Sequence, residues 1–167
     1  GACGEISFRD EVMERLSQFV QAAKGSGVTL CHENEKDIYG DTAERCLDIL
    51  KTIPEIKAIF DPANFIQCGE DTLRAWELIS PYIEYMHIKD ATEDGKIVPA
   101  GQGIGNIKKI LENYKAKASD VVTLEPHLSV FSGLDKLEKG DMSKVQEGYP
   151  TQRAAFDAGV NALKLLF

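Results

Sequence analysis

The 167-residue chain has little of what several large protein classes require. Its four cysteines, Cys3, Cys31, Cys46 and Cys68, form no CxxC pair and are too few for a disulfide-dense secreted scaffold. Reduced thiols in a cytoplasmic protein are therefore expected. No run approaches the roughly 18 consecutive apolar residues of a membrane span, and Gly1 to Arg9 lack the basic-then-apolar grammar of a signal peptide. The expectation is a soluble protein with no membrane partner. Basic residues are also scarce, 19 against 27 acidic, and the net charge of −8 repels phosphate backbones. With no local basic patch, a general nucleic-acid binder is excluded.

What is present is 43% hydrophobic residues, enough for one core, so residues 1–167 are read as a single domain. From Phe8 to Lys24, Val12, Leu16, Phe19, Val20 and Ala23 recur at helical steps, and Gly25-Ser26-Gly27 ends the segment. A strand from Val28 to His32 then turns polar at Glu33-Asn34-Glu35. Asp41-Thr42 caps a helix to about Thr52, Ile56 to Phe60 is a second strand ending in Asp61-Pro62, and Asp71 opens a helix containing Trp76. Tyr82 to His87 is a third strand ending in Lys89-Asp90, with a turn at Asp94-Gly95-Lys96 and a helix from Ile104 to Tyr114. Val121 to Leu124 is a fourth strand ending in Glu125-Pro126, and a last helix runs from about Thr151 to Leu166.

Short β runs alternating with helices indicate βα units and a parallel sheet, so the fold class is α/β. A closed (β/α)₈ barrel needs eight strands in about 250 residues, so four strands make half of one. Such a half exposes two strand edges and apolar surface, and two copies associating edge to edge, or a missing N-terminal fragment, are expected to cover them.

Each strand ends in a residue able to ligate a metal: Glu33, Asp61, His87 and Glu125, separated by 28, 26 and 38 residues. Parallel strands of a barrel gather their C-terminal ends at one mouth, so four such residues converge on one ion. Any one of them alone is weak, because an Asp before Pro is often a turn residue and a lone His is more often structural. The repetition at one structural position carries the argument. Three carboxylates and an imidazole suit one divalent ion such as Mn, Mg, Co or Zn, and the absence of nearby thiolates argues against structural zinc. Glu35 projects to the same side as Glu33, so either or both could reach the ion, with Glu33 favoured because it directly ends the apolar run.

Cys31-His32-Glu33-Asn34-Glu35, Phe60-Asp61-Pro62-Ala63-Asn64, Met86-His87-Ile88-Lys89-Asp90 and Leu124-Glu125-Pro126-His127 resemble four signature segments of the sugar phosphate isomerase/epimerase family, within the xylose isomerase-like superfamily. The resemblance covers roughly residues 5 to 165, and Pro99-Ala100-Gly101-Gln102-Gly103 resembles the family's Pro-x-Gly-x-Gly loop. It implies a parallel TIM-barrel half equivalent to strands five to eight, with Glu33, Asp61, His87 and Glu125 on the metal and Glu33 and Glu125 doubling as the acid/base pair. Ketose epimerases of the family commonly carry a His and an Arg where this chain has Asn64 and Glu93, so Asn64 is a substrate-side position of altered chemistry.

The chemistry expected is isomerisation or epimerisation of a small sugar, phosphorylated or not, by proton abstraction next to a carbonyl through an enediolate. Lys89 should project to the mouth and bind substrate, with Asp90 orienting it; the competing reading is a solvated Lys89-Asp90 surface pair. His127 is a second candidate for the mouth, and His32 should face the helices. Gly101, Gly103 and Gly105 match no phosphate-loop pattern and read as a turn feeding the next helix. Trp76, Phe131 and Tyr149 read first as packing. A dehydratase on the same scaffold and a catalytically incomplete metal-binding fragment remain alternatives. An abasic-site endonuclease is disfavoured by the charge and by the presence of only three histidines.

Overall fold

The computed structural model describes residues 6–115, 121–129 and 148–167; Cys3 and Phe131 lie outside them. The described residues begin with a 3-10 turn and helix α1 (Arg9–Ala23), followed by β1 (Cys31–Glu33), α2 (Ala43–Thr52), β2 (Lys57–Phe60), α3 (Pro62–Gln67) and α4 (Thr72–Ile79). Then come β3 (Ile83–Ile88), a hairpin of β4 (Asp90–Ala91) and β5 (Ile97–Val98), α5 (Ile107–Lys115), β6 (Val122–Leu124) and α6 (Gln152–Lys164). The main sheet has four strands in the order β1-β2-β3-β6, every pair parallel. This is the α/β arrangement of a partial TIM barrel. Among the described residues, β1 and β6 each have one strand neighbour, which leaves two open edges. No helix of the described residues is long and apolar enough to cross a membrane.

Alternation along the strands separates two faces. Ala58, Phe60, Met86 and Ile88 point to the helix side and join Ile49 and Leu50 of α2, Trp76 and Ile79 of α4, and Ile110 and Leu111 of α5 in the main core. Phe60 sits at its centre, 5.1 Å from the Phe65 ring and 5.3 Å from Trp76, which itself packs edge-on to Tyr114. Trp76 is thus a packing residue, and Tyr149 packs against a second, smaller cluster of Ala63, Ile66, Ala91, Ile97, Leu128 and Ala155. Cys31, Glu33, Ile59, Tyr85, His87 and Thr123 fall on the opposite strand face.

Three helix starts are capped by the residues the sequence singles out: Thr42, Asp71 and Thr151 each accept the N–H three residues on. Three local features differ from expectation. Pairing of β1 begins only at Leu30, whose carbonyl accepts the Lys57 N–H at 2.9 Å, and Val28 is left exposed. Helix α3 follows β2 without a loop, because Asp61 caps it and Pro62 sits at its first position, where the missing N–H costs nothing. Helix α5 starts at Ile107 rather than Ile104, because the preceding glycines wrap around Asp90 and Asn106 adopts a positive φ of 53°.

Helix α1 is tied to α2 by Arg9, whose Nε and Nη2 donate to Asp48 Oδ2 and Oδ1 at 2.6 and 2.7 Å, while the Tyr39 hydroxyl donates to Oδ2 at 2.7 Å. The Arg9 guanidinium, opposed by burial and helped by the Tyr39 hydroxyl, holds the Asp48 carboxyl down at about 2. A depressed carboxylate stabilises the fold above the ordinary carboxylate range and loses that contribution as pH falls through its folded value. On acidification toward pH 2, the protection factors of the α1 amides, corrected for intrinsic exchange, should fall ahead of those of the strands, and Asp48→Asn should abolish this acid step; an unchanged profile in the variant would show that the pair does not anchor α1.

Candidate metal centre

Parallel strands give the sheet one C-terminal rim, and the four candidate ligands stand along it. Glu33 is the last residue of β1, Asp61 follows β2, His87 is the penultimate residue of β3, and Glu125 follows β6 with its N–H still donating to Ile88 O at 3.2 Å. Each offers one ligand atom, and the four atoms all lie within 4.8 Å of one another. Glu33 rather than Glu35 belongs to this group; Glu35 accepts from the Lys36 N–H at 2.8 Å and from Asn64 Nδ2 at 3.3 Å.

His87 Nδ1 lies 2.9 Å from Glu33 Oε1 and 3.3 Å from Glu125 Oε1, so the ring nitrogen faces both glutamates. Lys89 Nζ lies 2.8 Å from Asp61 Oδ2 and 3.8 Å from Glu125 Oε2. Asp61 is fully buried, and its Oδ1 accepts the Asn64 N–H at 3.0 Å. Its Oδ2 receives no aligned hydrogen bond and is met instead by the Lys89 ammonium. Burial pushes the Glu33 carboxyl up, but the hydrogen bond and charge of His87 outweigh it and hold Glu33 below its ordinary value. Burial likewise opposes the charged forms of His87 and Lys89, yet Glu33 and Glu125 raise the imidazole, and Asp61, Glu35 and Glu125 raise the ammonium. Three carboxylates and an imidazole whose ligand atoms lie this close together could hold a hard or borderline divalent cation.

Two asparagines brace the rim. Asn34, 1% exposed, donates through Nδ2 to Asp61 O and accepts the Asp61 N–H through Oδ1, both at 2.9 Å, so its side chain extends the β1-β2 pairing by one rung. Asn64, expected on the substrate side, is equally buried and commits Nδ2 to Asn34 O at 2.9 Å and to Glu35. Asn34 was not singled out in the sequence. Its neighbourhood to Glu33 was visible, but its partner on another strand was not.

Lys89 projects to the ligand side as expected but is 5% exposed, which removes the reading of a solvated surface pair with Asp90. Asp90 does not orient it either. Both Asp90 oxygens are taken by backbone N–H groups: Ala91 and Gly105 donate to Oδ1 at 2.9 Å, and Gly101 and Gly103 donate to Oδ2 at 2.8 and 3.1 Å. The glycine segment is therefore a nest built on a buried carboxylate. Its signal was the spacing of Gly101, Gly103 and Gly105, which lets alternate amides face one way. His127 stands at the edge of the rim, with Nε2 4.0 Å from Glu125 Oε2. His32 faces α2, where Nε2 lies 3.7 Å from Cys46 Sγ. Cys31, Cys46 and Cys68 are free thiols, and burial, aided by acidic neighbours, pushes Cys68 up to about 12.

The family model of xylose isomerase-like TIM barrels matches residues 4–142. The chain belongs to this family. No curated protein matches the sequence significantly. Among solved structures, the chain is similar to a xylose isomerase-like TIM barrel protein from Mycobacterium smegmatis in complex with magnesium, at 16% identity and a TM-score of 0.70, covering 99% of this chain and 53% of that one. It is also similar to D-psicose 3-epimerase with D-tagatose from Clostridium cellulolyticum H10, at 17% identity and a TM-score of 0.68, covering 95% and 55%. A third similar structure is AsbF from Bacillus anthracis, a probable 3-DHS dehydratase involved in petrobactin synthesis, at 15% identity and a TM-score of 0.67, covering 98% and 58%. At these identities the likeness concerns the fold. The chain spans between 53% and 58% of the length of these structures.

Proposed function

We propose that the chain carries the metal-binding part of a barrel enzyme that isomerises or epimerises a sugar or sugar phosphate by proton transfer next to a carbonyl. The observation behind the reading is the convergence of Glu33, Asp61, His87 and Glu125 within 4.8 Å at the C-terminal rim, where barrel enzymes place their chemistry. These four residues would hold one divalent ion, Mn, Mg, Co or Zn. When bound, such an ion supplies Lewis acidity to the carbonyl and hydroxyl oxygens of the substrate.

Exposure divides the labour among the four. The side chains of Asp61 and His87 are 0% and 7% exposed and serve to hold the ion, whereas those of Glu33 and Glu125 are 30% and 31% exposed and can meet a substrate carbon. One glutamate removes the proton and the other returns it, to the same or a neighbouring carbon. Either glutamate can serve as the base, since both are exposed enough to reach a substrate carbon. Lys89, beside Glu125, places a positive charge where oxyanion charge develops or where a phosphate or carboxylate binds. The reading includes two copies closing the open edges of β1 and β6.

The test combines metal and isotope. The purified protein, checked for its mass in solution, should hold about one divalent ion per chain, and incubation with ketoses in deuterated water should place deuterium next to the carbonyl. A dehydratase shares the abstraction and would instead release water with a rise in ultraviolet absorbance, in line with the probable dehydratase among the similar structures. Protein without bound metal after loading, or no deuterium across a broad panel of ketoses, would overturn the isomerase reading.

A further inference from the structure

We infer that Lys89 is a built-in cation of this centre: its ammonium balances the carboxylates in place of a metal and so sets how weakly the site binds divalent ions. The inference rests on the proposed metal site and extends it to a residue outside the ligand set. Lys89 Nζ lies 2.8 Å from Asp61 Oδ2 and 3.8 Å from Glu125 Oε2, so it contacts two of the four ligand residues from within a 5% exposed position. Asp61 turns Oδ1 to the Asn64 N–H that starts α3 and Oδ2 to the ammonium, so an ion drawing on Oδ2 meets Lys89 there. An ion and the ammonium therefore compete for the same oxygen.

The Lys89 backbone is pinned beside the site. Ile88 is fixed in β3, and Asp90 is anchored by the N–H groups of Ala91, Gly101, Gly103 and Gly105, so the backbone on both sides of Lys89 is held. The two nitrogen-bearing side chains also divide the carboxylates between them. His87 faces Glu33 and Glu125 Oε1, Lys89 faces Asp61 and Glu125 Oε2, and Glu35 adds a further negative charge near Lys89. Removing Lys89 leaves Asp61 buried without a countercharge, which destabilises the fold, and it deepens the negative potential that an ion meets. The two effects have opposite signs, and together they distinguish this role from ordinary packing.

Lys89→Met and Lys89→Gln, metal-stripped and titrated calorimetrically with MnCl₂ beside wild type, test it. The expected result is a thermal midpoint lowered by roughly 10 °C without metal. Affinity for Mn²⁺ should tighten by about tenfold or more, with a larger thermal shift on adding the ion than wild type shows. Variants that are unfolded when stripped but fold on addition of MnCl₂ would support the inference equally, since the ion then replaces the ammonium. Variants that bind Mn²⁺ no more tightly than wild type, or that remain unfolded with the ion, would overturn it and leave the metal site standing. Absence of Mn²⁺ binding in wild type and variants alike would overturn the proposed function and this inference with it.

Discussion

Asp61→Asn is expected to weaken divalent-metal binding at least about a hundredfold while leaving helix α3 in place; the estimate follows because even residues behind the ligands typically cost 10- to 100-fold in affinity. The two oxygens of Asp61 do different work. Oδ1 accepts the Asn64 N–H at 3.0 Å and caps α3, a role an asparagine oxygen performs about as well. Oδ2, fully buried, lies 2.8 Å from Lys89 Nζ on the side of the other candidate ligands. In the amide variant an NH₂ group faces that ammonium, so the fold should lose about 3 kcal/mol as a buried ion pair is broken. Asp61→Ala should lose a further ~1 kcal/mol with the cap. Calorimetric titration with MnCl₂ and thermal melts of the three proteins separate these contributions. Metal affinity in Asp61→Asn within threefold of wild type would remove Asp61 from the ligand set.

The second large effect belongs to the glycine nest. Asp90→Ala should destabilise the protein by about 3–5 kcal/mol, because the buried amides of Ala91 and Gly105 lose their acceptor, each at a cost of about 1–3 kcal/mol, whereas Gly101 and Gly103 lie close enough to solvent to find water. Gly103→Ala attacks the same structure from the other side. Its new Cβ would stand 2.2 Å from Ala91 O and 2.4 Å from Asp90 Oδ1, and neither atom belongs to a flexible chain end able to swing away. A loss of about 2–3 kcal/mol is expected from overpacking, and the double variant should cost less than the sum because both changes release one loop. Gln102→Ala, exposed on the same loop, should stay within about 0.5 kcal/mol of wild type. Urea unfolding of the four variants tests the set, and an Asp90→Ala protein as stable as wild type would show that the nest holds nothing together.

Much of the site was legible because strand ends announce themselves. A short apolar run followed at once by an acid or a histidine marks where a buried strand meets solvent, and four repeats of that pattern led to Glu33, Asp61, His87 and Glu125 before any geometry was known. Helices α2, α4 and α6 were equally legible, since Thr42, Asp71 and Thr151 are local caps acting three residues away. Helix α3 was hidden because one residue served two ends: Asp61 closes β2 and caps α3, and the run Asp-Pro reads first as a turn. The hairpin β4-β5 was hidden for another reason. Its strands are two residues each, too short for any periodicity, and they exist because Asp90 and Ala91 pair with Val98 and Ile97.

The sequence by itself determined the alternation of strand and helix, the direction of the strands and the side of each strand on which Glu33, His87 and Lys89 project, because these follow from periodicity and from contacts a few residues long. Only the tertiary structure decided that Lys89 is buried against Asp61, that Asn34 and Asn64 brace the rim, and that Asp90 gathers four amides. Each of these pairs a side chain with a group that chain order does not identify. Their partners were chosen by strand register and by the close packing of loops over the sheet, which act on distance in space and not along the chain.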